Sequence, residues 1–177
     1  QAAERPVWVA ASTHEGEEAL LLAAHMLIRQ QHPRAMLFLV PRHPERFADV
    51  AALIDSFGLA HVTRSSAAVA DQRATVFLGD TMGELMTFYA AADVAFVGGS
   101  LSAIGGHNLL EPAALGIPVI TGPHNENAAD IFALLVACGA ASVASDAANV
   151  AAEVCRLFSD PEERRRRGAA GQAAITD

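Results

Sequence analysis

The stretch from residue 93 to residue 121, DVAFVGGSLSAIGGHNLLEPAALGIPVIT, carries the pattern that decides the fold. It predicts a strand over Asp93–Val97, a glycine-rich loop, a helix over Asn108–Leu115 and a second strand over Pro118–Thr121. Both strands are almost wholly apolar, which is typical of parallel strands covered on both faces. A strand, a helix and another strand in this order are the repeating unit of α/β folds.

The same alternation continues on both sides of this stretch. We therefore predict one Rossmann-like α/β/α domain of three layers over residues 1–177, with a mainly parallel sheet and right-handed crossovers. The other predicted strands are Val7–Ala11, Ala35–Val40, His61–Thr63, Thr75–Leu78 and Ala141–Val143, and the other predicted helices are Gly16–Gln31, Pro44–Phe57, Met82–Ala91, Asn127–Ala137, Ala147–Phe158 and a last one after Ser159.

The composition favours a soluble domain although 52% of the 177 residues are hydrophobic. Alanine, the commonest residue, raises the average without supplying membrane-spanning segments. The apolar run Ala90–Val97 is interrupted by Asp93 and is far shorter than the roughly 20 residues that a spanning helix needs. The N-terminus has no basic and apolar signal segment.

The net charge of −8 argues against a nucleic-acid partner, and all twelve basic residues are arginine. One phosphate group could still be bound, because that takes one arginine and a few backbone amides. The only cysteines, Cys138 and Cys155, lack metal-ligand spacing, so we predict no metal site, no cofactor and no disulfide.

Polar and glycine-rich segments follow the predicted strands. Ligands of open α/β sheets bind outside the carboxyl ends of the strands, so these segments predict a site at that edge. Five of the seven histidines lie in or near them: His14, His43, His107, His124 and, less directly, His61. The segments are Ser12–Gly16, Pro41–Arg46, Gly79–Glu84, Gly98–Asn108 and Gly122–Asn127.

The glycine-rich segment is the richest of the five. Its glycines allow a sharp turn and a close approach of backbone amides to a ligand, and a helix beginning near His107 would direct its free amides there. Glu111, in that helix, could accept hydrogen bonds from a vicinal diol such as ribose. The alternative is that the glycines only shape a loop and Glu111 only complements the helix dipole.

The segment after the second strand places Arg42 between two prolines, which suits a rigidly held guanidinium that binds phosphate or carboxylate. A surface ion pair is the alternative for Arg42. Arg46 could reach the same site or pair with Glu45 or Asp49. The run Arg164–Arg167 near the end of the chain is interpreted as a solvated helix face.

Two further segments could bind a ligand or simply cap helices. Asp80 or Thr81 could cap the helix that follows them and leave amides of Met82–Glu84 free. Ser12 or Thr13, with Glu17 downstream, also fits a capping pattern, and His14 could be a ligand contact or an exposed loop residue. The chain has no GxSxG, Walker or early GxGxxG motif, which argues against serine hydrolases, P-loop NTPases and ordinary dinucleotide-binding dehydrogenases.

Four segments together resemble a known family. Gly105–Val119 with the following Gly-Pro-His, the run Pro41–Phe47, the run Ser12–Glu17 and the run Gly79–Leu85 are similar, in the same order, to the C-terminal half of GT-B glycosyltransferases. Within that group they closely resemble the 3-deoxy-D-manno-octulosonic acid (Kdo) transferases of lipopolysaccharide biosynthesis. The resemblance covers nearly the whole chain.

The resemblance implies transfer of Kdo from CMP-Kdo to a lipid A precursor, lipid IVA, by an inverting mechanism without a metal. It implies that this chain is the donor-binding domain, with Glu111 on the ribose. The implied CMP-Kdo contacts are Arg42, Gly83 and Glu84 at the phosphate, Met82 near the base, Ser12 and Thr13 near the phosphate or sugar, and Ser100, Gly105, Gly106, His107 and Asn108 toward the Kdo.

The family also has an N-terminal half, which this chain lacks. That half supplies the general base, the acceptor surface and a membrane anchor at the cytoplasmic face of the bacterial inner membrane, so we expect this soluble fragment to be inactive alone. Two alternatives stay open. One is a GT-B donor domain or epimerase that uses a UDP-sugar, and the other is a non-catalytic flavodoxin-like nucleotide-binding domain.

Overall fold

The computed structural model describes residues 5–66 and 73–176 of the chain. In this part the strands form one seven-stranded sheet in which every pairing is parallel. The predicted α/β fold and parallel sheet are confirmed. The strands are β1 (Val7–Thr13), β2 (Met36–Pro41), β3 (His61–Thr63), β4 (Val76–Leu78), β5 (Val94–Val97), β6 (Val119–Thr121) and β7 (Ala141–Val143).

The strand order places a crevice at the centre of the sheet. The order is β3-β4-β2-β1-β5-β6-β7, so the chain winds outward from β1 in one direction and then from β5 in the other. Trp8 pairs with Leu37 on one side and with Val94 on the other. The loops after β1 and β5 therefore diverge, and such a switch point is where doubly wound sheets bind ligands.

Seven α-helices cover the two faces of the sheet in the described part of the chain. Short 3₁₀ turns at Pro44–Arg46 and Glu126–Ala128 lead into two of them. The helices are α1 (Glu17–Gln31), α2 (Phe47–Ser56), α3 (Leu85–Ala90), α4 (Leu110–Ala114), α5 (Ala129–Ala137), α6 (Ala147–Ser159) and α7 (Pro161–Thr176).

The core has two layers because successive strand residues point to opposite faces. Trp8 and Ala10 of β1 pack in the layer beneath α1, α2 and α6, whereas Val9 and Ala11 pack beneath α3. A third cluster, beneath α4 and α5, continues the second layer along the sheet around Val97. These residues are almost fully buried, so burial on both faces explains why the strands are continuously apolar.

The last helix, α7, packs against α4 and α5 and also contacts α6. A Cβ atom at Gly168 would clash with the carbonyl oxygen of Gly116, so only glycine allows this close approach. The interpretation of Arg164–Arg167 as a solvated face is wrong for Arg167. That side chain is buried and donates to the Glu153 carboxylate (2.6 Å) and to the Gly139 carbonyl (2.9 Å).

No helix among the described residues is both long and apolar enough to cross a membrane.

Candidate functional site

The carboxyl ends of β1, β2, β4 and β5 surround a cavity of about 440 Å³ beside the switch point. We call it the carboxyl-edge cavity. Its walls mix apolar, hydroxyl, guanidinium, imidazole and carboxylate groups. The lining residues are Ser12, Val40, Pro41, Arg42, Thr81, Met82, Gly83, Glu84, Leu85, Tyr89, His107, Asn108 and Glu111.

The structure brings most of the predicted site residues to this cavity. Eight of the twelve line it, and they come from four segments that are far apart in the sequence. The eight are Ser12, Arg42, Met82, Gly83, Glu84, His107, Asn108 and Glu111. Thr13, Ser100, Gly105 and Gly106 do not line it, and a ligand contact for these four stays a prediction.

Thr13 and Ser100 are fully buried within the protein. The hydroxyl of Ser100 donates to the carbonyl of Val97 (2.6 Å) and accepts from the amide of Gly122 (2.8 Å), so it joins the loops after β5 and β6. The hydroxyl of Thr13 is buried without a hydrogen-bond partner. Ser12 adopts a left-handed φ of 57° at a register shift in β1, which turns Thr13 inward.

Gly105 and Gly106 shape the loop from behind the cavity wall. Both have positive φ (97° and 85°), and both amides donate to the carbonyl of Gly99 at 3.1 and 2.9 Å. A Cβ on Gly106 would lie 2.8 Å from Oδ1 of Asn125. Glycine is required here for the turn, as the sequence predicts.

Helix α4 begins later than predicted. It starts at Leu110, whose amide donates to Oδ1 of Asn108 (2.8 Å), because Asn108 holds a non-helical turn instead of joining the helix. Glu111 therefore lies in the first turn and lines the cavity, and its carboxylate has no hydrogen bond or ion pair to any described residue. Burial, and secondarily the charge of Glu111, raise the pKa of the neighbouring Tyr89.

Arg42 and Arg46 have different roles. The amide of Arg42 donates to the Thr13 carbonyl (2.9 Å), while its exposed guanidinium has no partner within the described residues. Arg46 instead makes two hydrogen bonds of 2.9 Å to the buried carboxylate of Glu18, which raises the pKa of Arg46. The predictions that Arg46 reaches the site or pairs with Glu45 or Asp49 are therefore wrong.

Acidic and hydroxyl groups after β4 connect loops instead of capping α3. Helix α3 starts at Leu85 without a side-chain cap, which corrects the predicted start at Met82. Asp80 accepts hydrogen bonds from the amide and hydroxyl of Ser65. Glu84 accepts from Arg64 (2.8 Å) and from Thr81 (3.2 Å). The segment that follows β3 thus supports this side of the cavity.

Glu17 has a role that its sequence pattern does not predict. Its carboxylate is 2% exposed and accepts three backbone amides, from His14 (2.9 Å), Gly99 (2.8 Å) and Leu101 (3.0 Å). The predicted capping by Ser12 or Thr13 is absent, since α1 begins after Gly16 with φ 91°. Glu17 therefore joins the loops after β1 and β5, and its position in the first helical turn was the only signal.

Two imidazoles meet at the wall of the cavity. Nε2 of His14 and Nε2 of His107 are 2.6 Å apart, so one proton lies between them. Burial lowers the pKa of both, that of His107 to about 4, so the pair is neutral near pH 7. His43 packs edge-on against His14 at 5.2 Å between ring centroids.

The other two histidines lie elsewhere. His61 begins β3, and its Nδ1 lies 3.2 Å from Oδ1 of Asp55, so it lies at a strand but does not follow one. His124 lies 3.5 Å from Glu126 in the loop after β6. Within residues 5–66 and 73–176, no group of three histidine, cysteine or acidic side chains could hold a metal ion.

Comparison with known proteins shows the family to which the chain belongs. The family model described as glycosyl transferases group 1 matches residues 10–174. The 3-deoxy-D-manno-octulosonic acid transferase of Haemophilus influenzae is 44% identical over 98% of this chain and 41% of its own length. The enzyme of that name from Bordetella pertussis is 42% identical over 96% of this chain and 40% of its own length.

Comparison with solved structures agrees with the sequence comparison. The crystal structure of the C-terminal CMP-Kdo binding domain of WaaA from Acinetobacter baumannii has a TM-score of 0.93, with 34% identity over 99% of this chain and 91% of that one. The chain spans about two fifths of the length of the curated relatives above. It belongs to the group 1 glycosyltransferase family and is similar over nearly its whole length to the Kdo transferases of that family.

Proposed function

We propose that this chain is the donor-binding domain of a Kdo transferase and that CMP-Kdo binds in the carboxyl-edge cavity. The proposal is supported by the similarity to the CMP-Kdo binding domain of WaaA and by the position of the cavity at the switch point. The observation that carries it is that one cavity contains the guanidinium of Arg42 and the carboxylate of Glu111, neither of which has a partner among the described residues.

These two groups match two parts of a nucleoside monophosphate, its phosphate and its ribose. A guanidinium donates two parallel hydrogen bonds to phosphate oxygens, and no described residue accepts from the guanidinium of Arg42. A carboxylate accepts hydrogen bonds from the two hydroxyls of a ribose, and no described residue donates to the carboxylate of Glu111. In the proposed complex, the hydroxyl of Ser12 and the amides of Gly83 and Glu84 also face the phosphate.

The apolar walls fit the base. Val40, Pro41 and Leu85 line the same cavity and offer flat apolar surface to a pyrimidine ring. We assign recognition of the base edge to the backbone of Met82, whose side chain is 59% exposed.

The sugar acid would extend toward a neighbouring hollow. A second cavity of about 520 Å³ shares His107 and Asn108 with the carboxyl-edge cavity and continues to Asn127 and Ile131. In the proposed complex, His107 and Asn108 lie where the phosphate of CMP is joined to the Kdo ring. Gly106 lines this second cavity too, and Thr13, Ser100 and Gly105 would act by holding the loops in place.

We further propose the family's chemistry for the longer protein. Kdo would be transferred to lipid IVA with inversion and without a metal ion, at the cytoplasmic face of the bacterial inner membrane, where the longer protein would be membrane-associated. A general base must reach the acceptor hydroxyl. We assign it, with the acceptor surface, to the rest of the protein, so the 177-residue chain alone would bind donor without turnover.

Calorimetric titration of the chain with CMP, UMP and UDP tests the proposal. We expect CMP to bind most tightly and Glu111→Ala or Arg42→Ala to weaken it at least about tenfold, because each removes charge-assisted hydrogen bonds. Glu162→Ala and Arg165→Ala, exposed substitutions on α7, are matched controls and should change nothing. Preference for UDP would indicate a UDP-sugar transferase, and the absence of CMP binding would refute the assignment.

A further inference from the structure

A third cavity lies at the opposite edge of the sheet, where the strands begin. It measures about 680 Å³, and arginine dominates its lining. We call it the amino-edge cavity. Its lining residues are Arg5, Arg29, Pro33, Arg34, Arg73 and Thr75.

The parallel sheet brings these residues together. Arg5 precedes β1, Arg34 precedes β2, and Arg73 and Thr75 precede β4, and these three strands are neighbours in the sheet. Arg29 lies in the last turn of α1, which ends at the same edge. One third of the chain's twelve arginines therefore converge on one cavity, although the chain has a net charge of −8.

No described carboxylate balances the positive charge of three of these arginines. No described carboxylate oxygen lies within 4.0 Å of a guanidinium nitrogen of Arg5, Arg29 or Arg34. Arg5 donates only to backbone carbonyls, those of Arg34 and Ala74, at 2.9 Å each. Burial, and secondarily the charges of Arg34 and Arg29, lower the pKa of Arg5.

Two buried polar atoms here also lack partners. Nε of Arg29 and Oγ1 of Thr75 are both inaccessible to solvent and form no hydrogen bond. Thr75 is only 6% exposed, and its backbone groups are used by Ala60, Leu37 and His25. Buried polar atoms in folded proteins are nearly always hydrogen-bonded, so these two mark an unsatisfied polar site beside the charges of Arg5, Arg29 and Arg34.

We propose that the amino-edge cavity binds a phosphate group, at a site separate from the nucleotide site. A phosphate dianion offers several acceptor oxygens in a tetrahedral arrangement, which suits guanidinium groups that approach from three elements of the fold. A single carboxylate would satisfy fewer of them. The phosphate belongs either to a soluble phosphorylated molecule or to a lipid headgroup, and both present the same oxygens.

Calorimetric titration with pyrophosphate at low salt tests the site. Arg42→Ala is used as the parent chain, so that the carboxyl-edge cavity contributes little. We expect binding by this parent, weakened at least about tenfold when Arg29→Gln and Arg34→Gln are added, since each removes charge-assisted hydrogen bonds. Arg165→Gln is the matched control and should leave the affinity unchanged. No binding by the parent, or equal binding by the triple variant, would overturn the proposal.

Thr75→Val separates binding from folding. It removes the unpartnered hydroxyl but keeps the backbone hydrogen bonds, so pyrophosphate affinity should fall while the midpoint of thermal unfolding is kept or rises. Unchanged affinity would contradict the part assigned to Thr75.

Vesicle sedimentation identifies the source of the phosphate. Phosphatidylcholine vesicles with and without phosphatidic acid are compared for the parent and the triple variant. Phosphatidic acid–dependent binding that the triple variant loses would support the lipid headgroup, and pyrophosphate binding without vesicle binding would support a soluble phosphorylated molecule.

Discussion

At the carboxyl edge of the sheet, one cavity combines the guanidinium of Arg42 with the carboxylates of Glu84 and Glu111. At the amino edge, the other cavity collects Arg5, Arg29 and Arg34 and has no described carboxylate among its lining residues. The first is built by long loops that follow strands, the second by short segments that precede them. Mixed charges can select a ligand with both a phosphate and hydroxyl groups, whereas charge of one sign selects only for an anion.

The two edges also differ in how they are supported. Backbone amides and a buried carboxylate hold the carboxyl edge in shape. At the amino edge, strand pairing, the end of α1 and the hydrogen bonds of Arg5 to backbone carbonyls position the arginines. Substitutions that loosen loops should therefore affect the carboxyl edge and leave the amino edge intact. The following four predictions test this difference.

Glu17→Ala should have the largest effect. It leaves three backbone donors without their acceptor, and we expect the free energy of unfolding to fall by about 3–4 kcal/mol, measured by urea denaturation. CMP binding should be lost, while pyrophosphate binding at the amino edge persists in the folded fraction. The exposed neighbour Glu15 is the matched control, and Glu15→Ala should have little effect. A destabilisation no larger than that of the control would contradict the role of Glu17.

Acid should destabilise the protein through His25, beside the amino edge. The buried ring accepts from Trp8 and donates to the Thr75 carbonyl. Burial lowers its pKa from 6.5 to about 3, and the charges of Arg29 and Arg5 also lower it. Between these values the unfolded chain binds a proton that the folded chain does not, so stability falls as the pH falls below 6.5.

The expected loss from His25 is about 2–3 kcal/mol between pH 6.5 and pH 4.5. Urea denaturation at the two pH values should show this loss in the wild type and correspondingly less in His25→Gln. His32→Gln, which changes a partly exposed histidine, serves as the control. Equal pH dependence of the wild type and His25→Gln would refute the assignment.

Gly99→Ala should displace His107. Gly99 has φ 72°, and an added Cβ would lie 2.7 Å from Cδ2 of His107. We expect a loss of about 1–2 kcal/mol in stability from the backbone strain alone, with weaker CMP binding in addition. Gly58 has the same φ but open space around its Cβ position. Gly58→Ala should thus reproduce the strain without the binding defect, and a shared defect would contradict the prediction.

Thr13→Val should have the smallest effect. The hydroxyl is buried and unpartnered, so its removal should change stability by less than about 0.5 kcal/mol or improve it slightly. CMP affinity should stay within about twofold, as measured by calorimetry. Thr121→Val is the contrast, because that hydroxyl donates to Asn125 (3.1 Å) and its loss should cost about 1 kcal/mol. A large loss of CMP affinity in Thr13→Val would contradict this prediction and support a direct contact between Thr13 and the ligand.

The central strands of the sheet were predictable because they are apolar on both faces. The edge strands are less apolar and were predicted from their place in the strand–helix alternation. His61–Thr63 and Ala141–Val143 match the predicted strands residue for residue. The starts of α3 and α4 were predicted too early. Gly83 and Asn108 lie in turns that lead into these helices, so the helices begin only at Leu85 and Leu110. A residue pattern does not distinguish a helix start from a turn that leads into it.

The carboxyl-edge cavity was largely predictable because its residues directly follow strands. The buried carboxylates were not, since Glu17 and Glu18 in a first helical turn look like ordinary dipole partners. The arginine cavity was not predictable either. Arg5, Arg29 and Arg34 share no motif, and only the strand order brings them together.

The carboxylate of Glu17 lies at the turn from β1 to α1, where dinucleotide-binding folds seat a pyrophosphate. The amides of His14, Gly99 and Leu101 are already bonded to a carboxylate of the chain itself, so they are not available to a phosphate. The space that stays open beside this turn lies toward β2 and β4, where Arg42 and Glu84 line it.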